Sequence, residues 1–109
     1  MPSLYKVLGQ EQANTNATVT LYTVPAATQA IISTVNVCNI SNANTTFSLA
    51  VRPAGATLQL KHYLNFNTIV PGQDSINISL GLTMGNTDVL TGYSNLGNVV
   101  FNVFGTEIT

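Results

Sequence analysis

Residues 75–82, SINISLGL, alternate apolar and polar side chains without a break. In an extended chain successive side chains point to opposite faces. Ile76, Ile78, Leu80 and Leu82 therefore share one face, and Ser75, Asn77, Ser79 and Gly81 share the other. A helix would scatter both sets around its axis, so the segment reads as a half-buried strand. Residues 46–52 repeat the pattern, with Phe47, Leu49 and Val51 facing in and Thr46, Ser48, Ala50 and Arg52 facing out. Residues 62–70, HYLNFNTIV, set Leu64, Phe66 and Val70 on one face against Tyr63, Asn65 and Asn67 on the other. Residues 30–40, AIISTVNVCNI, are rich in β-branched side chains and apolar on both faces. That marks a central strand, with Val35 and Val37 in the core. Residues 17–24, 87–94 and 99–104 read as further strands and 3–8 as a weaker one, with no sustained helical period.

The connections carry turn chemistry. Pro25 ends the 17–24 strand because it cannot donate to a ladder. SNANT at 41–45 and PGQD at 71–74 are turn clusters, and PAG at 53–55 opens a longer loop. Gly85-Asn86 and Gly97-Asn98 fit two-residue hairpin turns of type II′. Seven or eight strands at this spacing predict an all-β fold, a small antiparallel β-sandwich of jelly-roll or Greek-key type. Without an internal repeat or linker, residues 1–109 form one domain. The polar stretch QEQANTNA at 10–17 follows an apolar start, so residues 1–16 are either an N-terminal arm or an edge strand of the sandwich.

Composition narrows function. The chain has 109 residues, 45% hydrophobic and only 6% charged, with net charge −1. Thirteen Asn and fifteen Thr supply the polarity that charges do not, and neither residue is a strong helix former. Lys6, Arg52 and Lys61 are too few cations for a nucleic-acid footprint. Glu11, Asp74, Asp88 and Glu107 are too few carboxylates for a calcium cage. A surface this poor in charge tends to associate, which suits a subunit of an assembly. The start, MPSLYKVLGQ, lacks a signal peptide's basic and apolar regions, and no apolar run is long enough for a membrane span. Synthesis in a cytoplasm without a membrane partner is the expectation.

Little in the sequence suggests catalysis. Cys38 and His62 are the one thiol and the one imidazole; Cys38, inside a β-branched strand, reads as a buried inert thiol rather than half of a dyad. Asp74 and Asp88 read as turn residues rather than a glycosidase pair. No catalytic, cofactor or metal residues are assigned, and the chain is expected to be no enzyme. Four Asn-x-Ser/Thr triplets, at Asn16, Asn39, Asn44 and Asn77, are what chance gives at this composition. The residues picked out for partner binding are Leu4, Tyr5, Val7 and Leu8, apolar on both faces of the first strand, together with Tyr63 and Tyr93. The two tyrosines suit a subunit interface, where the residue is enriched. With Asn neighbours they also suit a sugar-binding face.

Three stretches carry a resemblance: MPSLYKVLGQ at the start, LYTVPAATQAIISTVNVCN at 21–39 and FNVFGTEIT at the end, with AVRPAGA at 50–56 between them. The chain resembles small structural proteins of tailed bacteriophages, notably those infecting cyanobacteria and other marine bacteria, over nearly its whole length. It departs from their pattern before the strand at 88–93, where Asn86-Thr87-Asp88 keeps only the Asp of a frequent Gly-Asp. The resemblance implies a β-sandwich virion subunit, assembled in the host cytoplasm and present in many copies. Its expected role is that of a capsid decoration (cement) protein clamping the major capsid protein, and the expected oligomer is a homotrimer. A tail, baseplate or fibre subunit is the alternative within that class, and a carbohydrate-binding module for host attachment the alternative outside it.

Overall fold

Among the described residues eight strands form two four-stranded sheets. A computed structural model describes residues 3–13, 17–95 and 97–109, and of residues 3, 4 and 80 the backbone alone. The strands are β1 (Ser3–Gln12), β2 (Ala17–Thr23), β3 (Gln29–Asn39), β4 (Thr45–Arg52), β5 (Tyr63–Val70), β6 (Ser75–Met84), β7 (Val89–Ser94) and β8 (Val99–Ile108). Sheet A runs β1-β8-β3-β6 and sheet B runs β2-β7-β4-β5, with every pairing antiparallel. First pairs with last, second with seventh, third with sixth and fourth with fifth. The chain is thus one long hairpin bent at β4–β5 and rolled into two layers, the jelly-roll topology. No helix among the described residues is long and apolar enough to cross a membrane.

This topology overturns the two hairpins expected at Gly85-Asn86 and Gly97-Asn98. β6 and β8 lie in sheet A and β7 in sheet B, so both turns cross between layers. At the first, the Asp88 N–H donates to the Gly85 carbonyl, and Thr87 takes the positive φ, 66°. The apolar start, weighed as arm or edge strand, pairs with β8 from Ser3 to Gln12 as the edge of sheet A. Part of the polar spacer, residues 14–16, lies outside the described residues.

The core lies between the sheets. Phe47 and Leu49 of β4 and Leu90 of β7 meet Ile32, Val35 and Val37 of β3 and Phe101 and Val103 of β8, all fully buried. Phe47 and Phe101 stack edge to face, centroids 6.2 Å apart. Gly92 allows that contact: a Cβ there would stand 3.1 Å from the Phe101 ring. In β6, Ile76, Ile78 and Leu82 are half-buried against the core while Ser75, Asn77 and Ser79 are exposed; the Leu80 side chain lies outside the described residues.

β3 is central, and its apolar residues on both faces have a local cause. A row of β-bulges crosses sheet A. Leu8 of β1 is an extra residue against the Val103–Phe104 step of β8, Ser33 of β3 one against the next step, Phe104–Gly105, and Leu80–Gly81 of β6 together oppose Ser33. Gly81 takes φ +59° to make its bulge. Beyond Ser33 the faces of β3 exchange, so Ala30 and Ile32 point inward before it and Val35, Val37 and Asn39 after it.

Strand β5 splits the face that its alternation sets up. Leu64 and Phe66 are exposed, at 41% and 59%, while Val70 is buried. β5 is the edge of sheet B, and its register against β4 slips between Thr68 and Asn65 and again between Asn65 and Tyr63, so one alternation cannot describe it. In β4, Ser48 and Ala50 were expected outside, yet both are buried. Thr91, the register partner of Ala50, and the pair Arg52 and Val89 beyond it lie against the excursion of residues 53–62 between β4 and β5. Gly55 lies over Val89, and the Arg52 guanidinium donates to the Gly55 and Ala56 carbonyls and to Thr91 Oγ1.

Candidate functional site

The two outer faces of the sandwich receive the residues read as partner-binding, and they divide them. On sheet A the register sets up four transverse rows: Tyr5, Thr106, Ile31 and Thr83; Val7, Phe104, Thr34 and Ser79; Gln10, Asn102, Asn36 and Asn77; Gln12, Val100, Cys38 and Ser75. No residue in these rows carries a charge. The first two rows alternate apolar side chains with hydroxyls, with Tyr5 86% and Val7 49% exposed beside Ile31 and Phe104. The third is a ladder of amides across all four strands. Gln10 Nε2 donates to Asn102 Oδ1, and Asn36 Nδ2 to Asn77 Oδ1, both at 2.8 Å.

Tyr5 and Val7 thus stand together as surface residues. Leu8, grouped with them on sequence, sits at the bulge and packs toward the core. The Leu4 side chain lies outside the described residues; its backbone pairs with Glu107. Cys38, expected buried, is half-buried on this outer face because residues 35, 37 and 39 take the inward positions after the bulge.

On sheet B, Tyr63 and Tyr93 come together. With Thr18, Ser48, Phe66 and Asn67 they line an open cleft of about 350 Å³. The rings of Tyr63 and Phe66 meet edge to face, centroids 4.9 Å apart. Residues three apart in a regular strand point to opposite faces; the bulge at Asn67 brings these two together. Asn67 has φ +50°, and its N–H donates to Ser48 Oγ at 3.0 Å. Sequence reasoning set Phe66 with Leu64 and Val70 on one face, opposite Tyr63. The signal against that was present, because Tyr63, Leu64, Phe66, Ile69 and Val70 fit no single alternation.

Titratable groups serve the fold. Glu107, mostly buried, accepts from Lys6 Nζ at 2.7 Å and from the Tyr22 hydroxyl at 2.5 Å. Those two hydrogen bonds, Lys6 first, hold its carboxyl below the ordinary value against the opposing effect of burial. Burial, and then the carboxylate, push the Tyr22 hydroxyl far above its usual value. His62 is buried in the turn before β5 and accepts the Gln59 N–H at Nδ1, while Cys38 stands on the outer face of sheet A, so the two form no dyad. Asp88 accepts the Ala54 and Gly85 N–H groups, and Asp74 that of Ser75, as turn residues do. Among the described residues no three of His, Cys, Asp and Glu gather to hold a metal.

No family model matches the chain, and no curated protein matches it either. The fold class is the jelly roll, an architecture found in viral capsid and lectin domains and in cupins. A fold hosts many functions, so the reading below rests on the surfaces rather than on the architecture.

Proposed function

We propose that the chain is a non-enzymatic structural subunit of a tailed-bacteriophage particle, a capsid decoration (cement) protein that clamps neighbouring major capsid subunits as a homotrimer. The observation that carries this reading is the outer face of sheet A, uncharged across all four strands. Its apolar half, around Tyr5, Val7, Ile31 and Phe104, supplies binding energy by burial, about 25 cal/mol per Å² of apolar surface removed from water. Its amide half supplies donors and acceptors that fix the docking register without the desolvation cost of ions. The sequence resemblance to phage structural proteins supports the same reading.

Gold-labelled antibody against the protein, imaged on purified particles, tests it. Label over the capsid shell that survives a wash in about 1 M NaCl is the expected result, because apolar contacts escape the screening that dissolves surface ion pairs. Label on the tail or baseplate moves the subunit to the alternative location. Unlabelled particles, or release by salt alone, overturn the proposal.

A further inference from the structure

The geometry points to a saccharide-binding cleft on the outer face of sheet B, built from Tyr63, Phe66 and Tyr93 with Asn67, Ser48 and Thr18 and selective for neutral hexopyranose chains. This inference does not depend on where the protein sits in a particle, since it uses the face opposite to sheet A.

Backbone strain marks the place. Among the described residues five non-glycine residues have positive φ, and four of them, Ala27, Ala54, Gln73 and Thr87, lie in turns or loops. Asn67 alone lies within a strand. A left-handed residue inside a strand costs free energy and persists where its surroundings enforce it, a pattern concentrated at binding sites. Here the enforcing contact is the hydrogen bond from Asn67 N–H to Ser48 Oγ on the neighbouring strand. The bulge turns Phe66 onto the face of Tyr63 and leaves it 59% exposed, where regular alternation would oppose the two rings.

The chemistry of the lining selects the ligand. Perpendicular rings present an aromatic face, whose negative quadrupole attracts the polarised C–H groups of a pyranose. The Asn67 amide offers both donors and an acceptor, and the Thr18 hydroxyl on β2, the other edge of the sheet, offers either, the equipment that sugar hydroxyls require. None of the six side chains is charged. Arg52, the cation on this sheet's strands, is committed to Thr91 and to the Gly55 and Ala56 carbonyls, so a phosphate or carboxylate ligand finds no counter-charge in the lining. The cleft, about 350 Å³, falls within the roughly 300–1,000 Å³ of small-molecule sites. Strand addition by a peptide at the β5 edge is disfavoured by the two register slips that interrupt its ladder.

The test is an amide NMR titration of the full ¹⁵N-labelled chain with maltotetraose, cellotetraose and a β-linked galactotetraose, each to about 10 mM, which covers millimolar affinity. Saturable shifts centred on Thr18, Ser48, Asn67 and Tyr93 with at least one of these chains are expected. Phe66→Ala, at a position exposed enough to spare folding, should weaken that binding at least about tenfold, and Val7→Ala on sheet A should leave it unchanged. Three results overturn the inference: no shift with any of the three chains, shifts centred elsewhere, or affinity indifferent to Phe66→Ala. Light scattering gives a fourth. If Phe66→Ala dissociates an oligomer, the cleft is an interface between copies and the saccharide assignment falls.

Discussion

The two ends of the sandwich are closed by different chemistry. At one end Asn39, the last residue of β3, is fully buried and ties sheet A to sheet B. Its Nδ2 donates to the Ala43 and Val70 carbonyls at 2.8 and 3.1 Å, and its Oδ1 accepts from the Ser41 N–H and hydroxyl at 3.0 and 2.8 Å. An amide side chain has two donors and two acceptor sites, and here all are used. At the other end the join is ionic. Glu107 of β8 takes Tyr22 from sheet B on one oxygen and Lys6 from the edge strand on the other. A neutral, saturated clamp responds only to the loss of its side chain. A charged one responds also to pH and, where exposed, to salt.

Removing the neutral clamp should cost most. Asn39→Ala takes its two donors from the Val70 and Ala43 carbonyls and its acceptor from the Ser41 N–H, and a buried group so stranded costs roughly 1–3 kcal/mol. A loss of about 3 kcal/mol or more is expected in urea unfolding at fixed protein concentration, equal at neutral and mildly acidic pH. A change within about 0.5 kcal/mol, the size of a surface substitution, would mean that the amide closes nothing.

The ionic clamp should cost less and should depend on pH at both ends. Tyr22→Phe removes a hydrogen bond to a charged acceptor, worth about 1.5–3 kcal/mol. The Tyr22 hydroxyl titrates above its ordinary 10.0 in the folded protein, so its contribution is complete below pH 10 and is lost as pH rises past it. Glu107 titrates below its ordinary 4.5, so its contribution is complete above pH 4.5 and is lost as pH falls through the folded value. Chemical denaturation across pH should therefore show the wild type losing stability at both extremes, with the variant lacking the alkaline loss tied to this hydroxyl. An alkaline limb identical in both proteins would detach Tyr22 from the clamp.

Neither clamp was visible in the sequence. All eight strands were, because apolar alternation is a local property that survives any topology. Asn39 drew notice only as one of four chance glycosylation triplets, and Glu107 only as one of too few carboxylates for calcium. Their roles come from residues 31 and 85 positions away, Val70 and Tyr22, which the rolled hairpin brings together. The same limit explains the two failed hairpins. Gly85-Asn86 has turn chemistry, and turn chemistry does not reveal whether the next strand stays in the sheet or crosses to the other layer. Faces were lost where the backbone broke step: at the Asn67 bulge, which turned Phe66 outward, and at Ser33, where β3 changes sides. Of the residues read as partner-binding, Tyr5 and Val7 share the outer face because they stand two positions apart in an edge strand. The meeting of Tyr63 and Tyr93, thirty positions apart, needed the fold.

The smallest effect should come from Lys6→Gln, and it best separates the two kinds of closure. The Lys6 side chain is 46% exposed and Glu107 only 11%, so solvent screens the pair from one side. Exposed and half-exposed ion pairs contribute about 0.2–1 kcal/mol, and added salt should shrink that amount. The Tyr22 hydrogen bond remains and spares Glu107 from being stranded. Lys6 is nonetheless the first cause of the lowered Glu107 value, so its loss lets the folded carboxyl titrate nearer to its ordinary range and flattens the acid limb of stability. The gap between wild type and variant should be open at neutral pH and close as pH falls, because a protonated Glu107 no longer distinguishes lysine from glutamine by charge. A gap that persists undiminished at the acid end would assign the Lys6 contribution to packing of its methylene chain along the edge strand and would remove it from the ionic clamp.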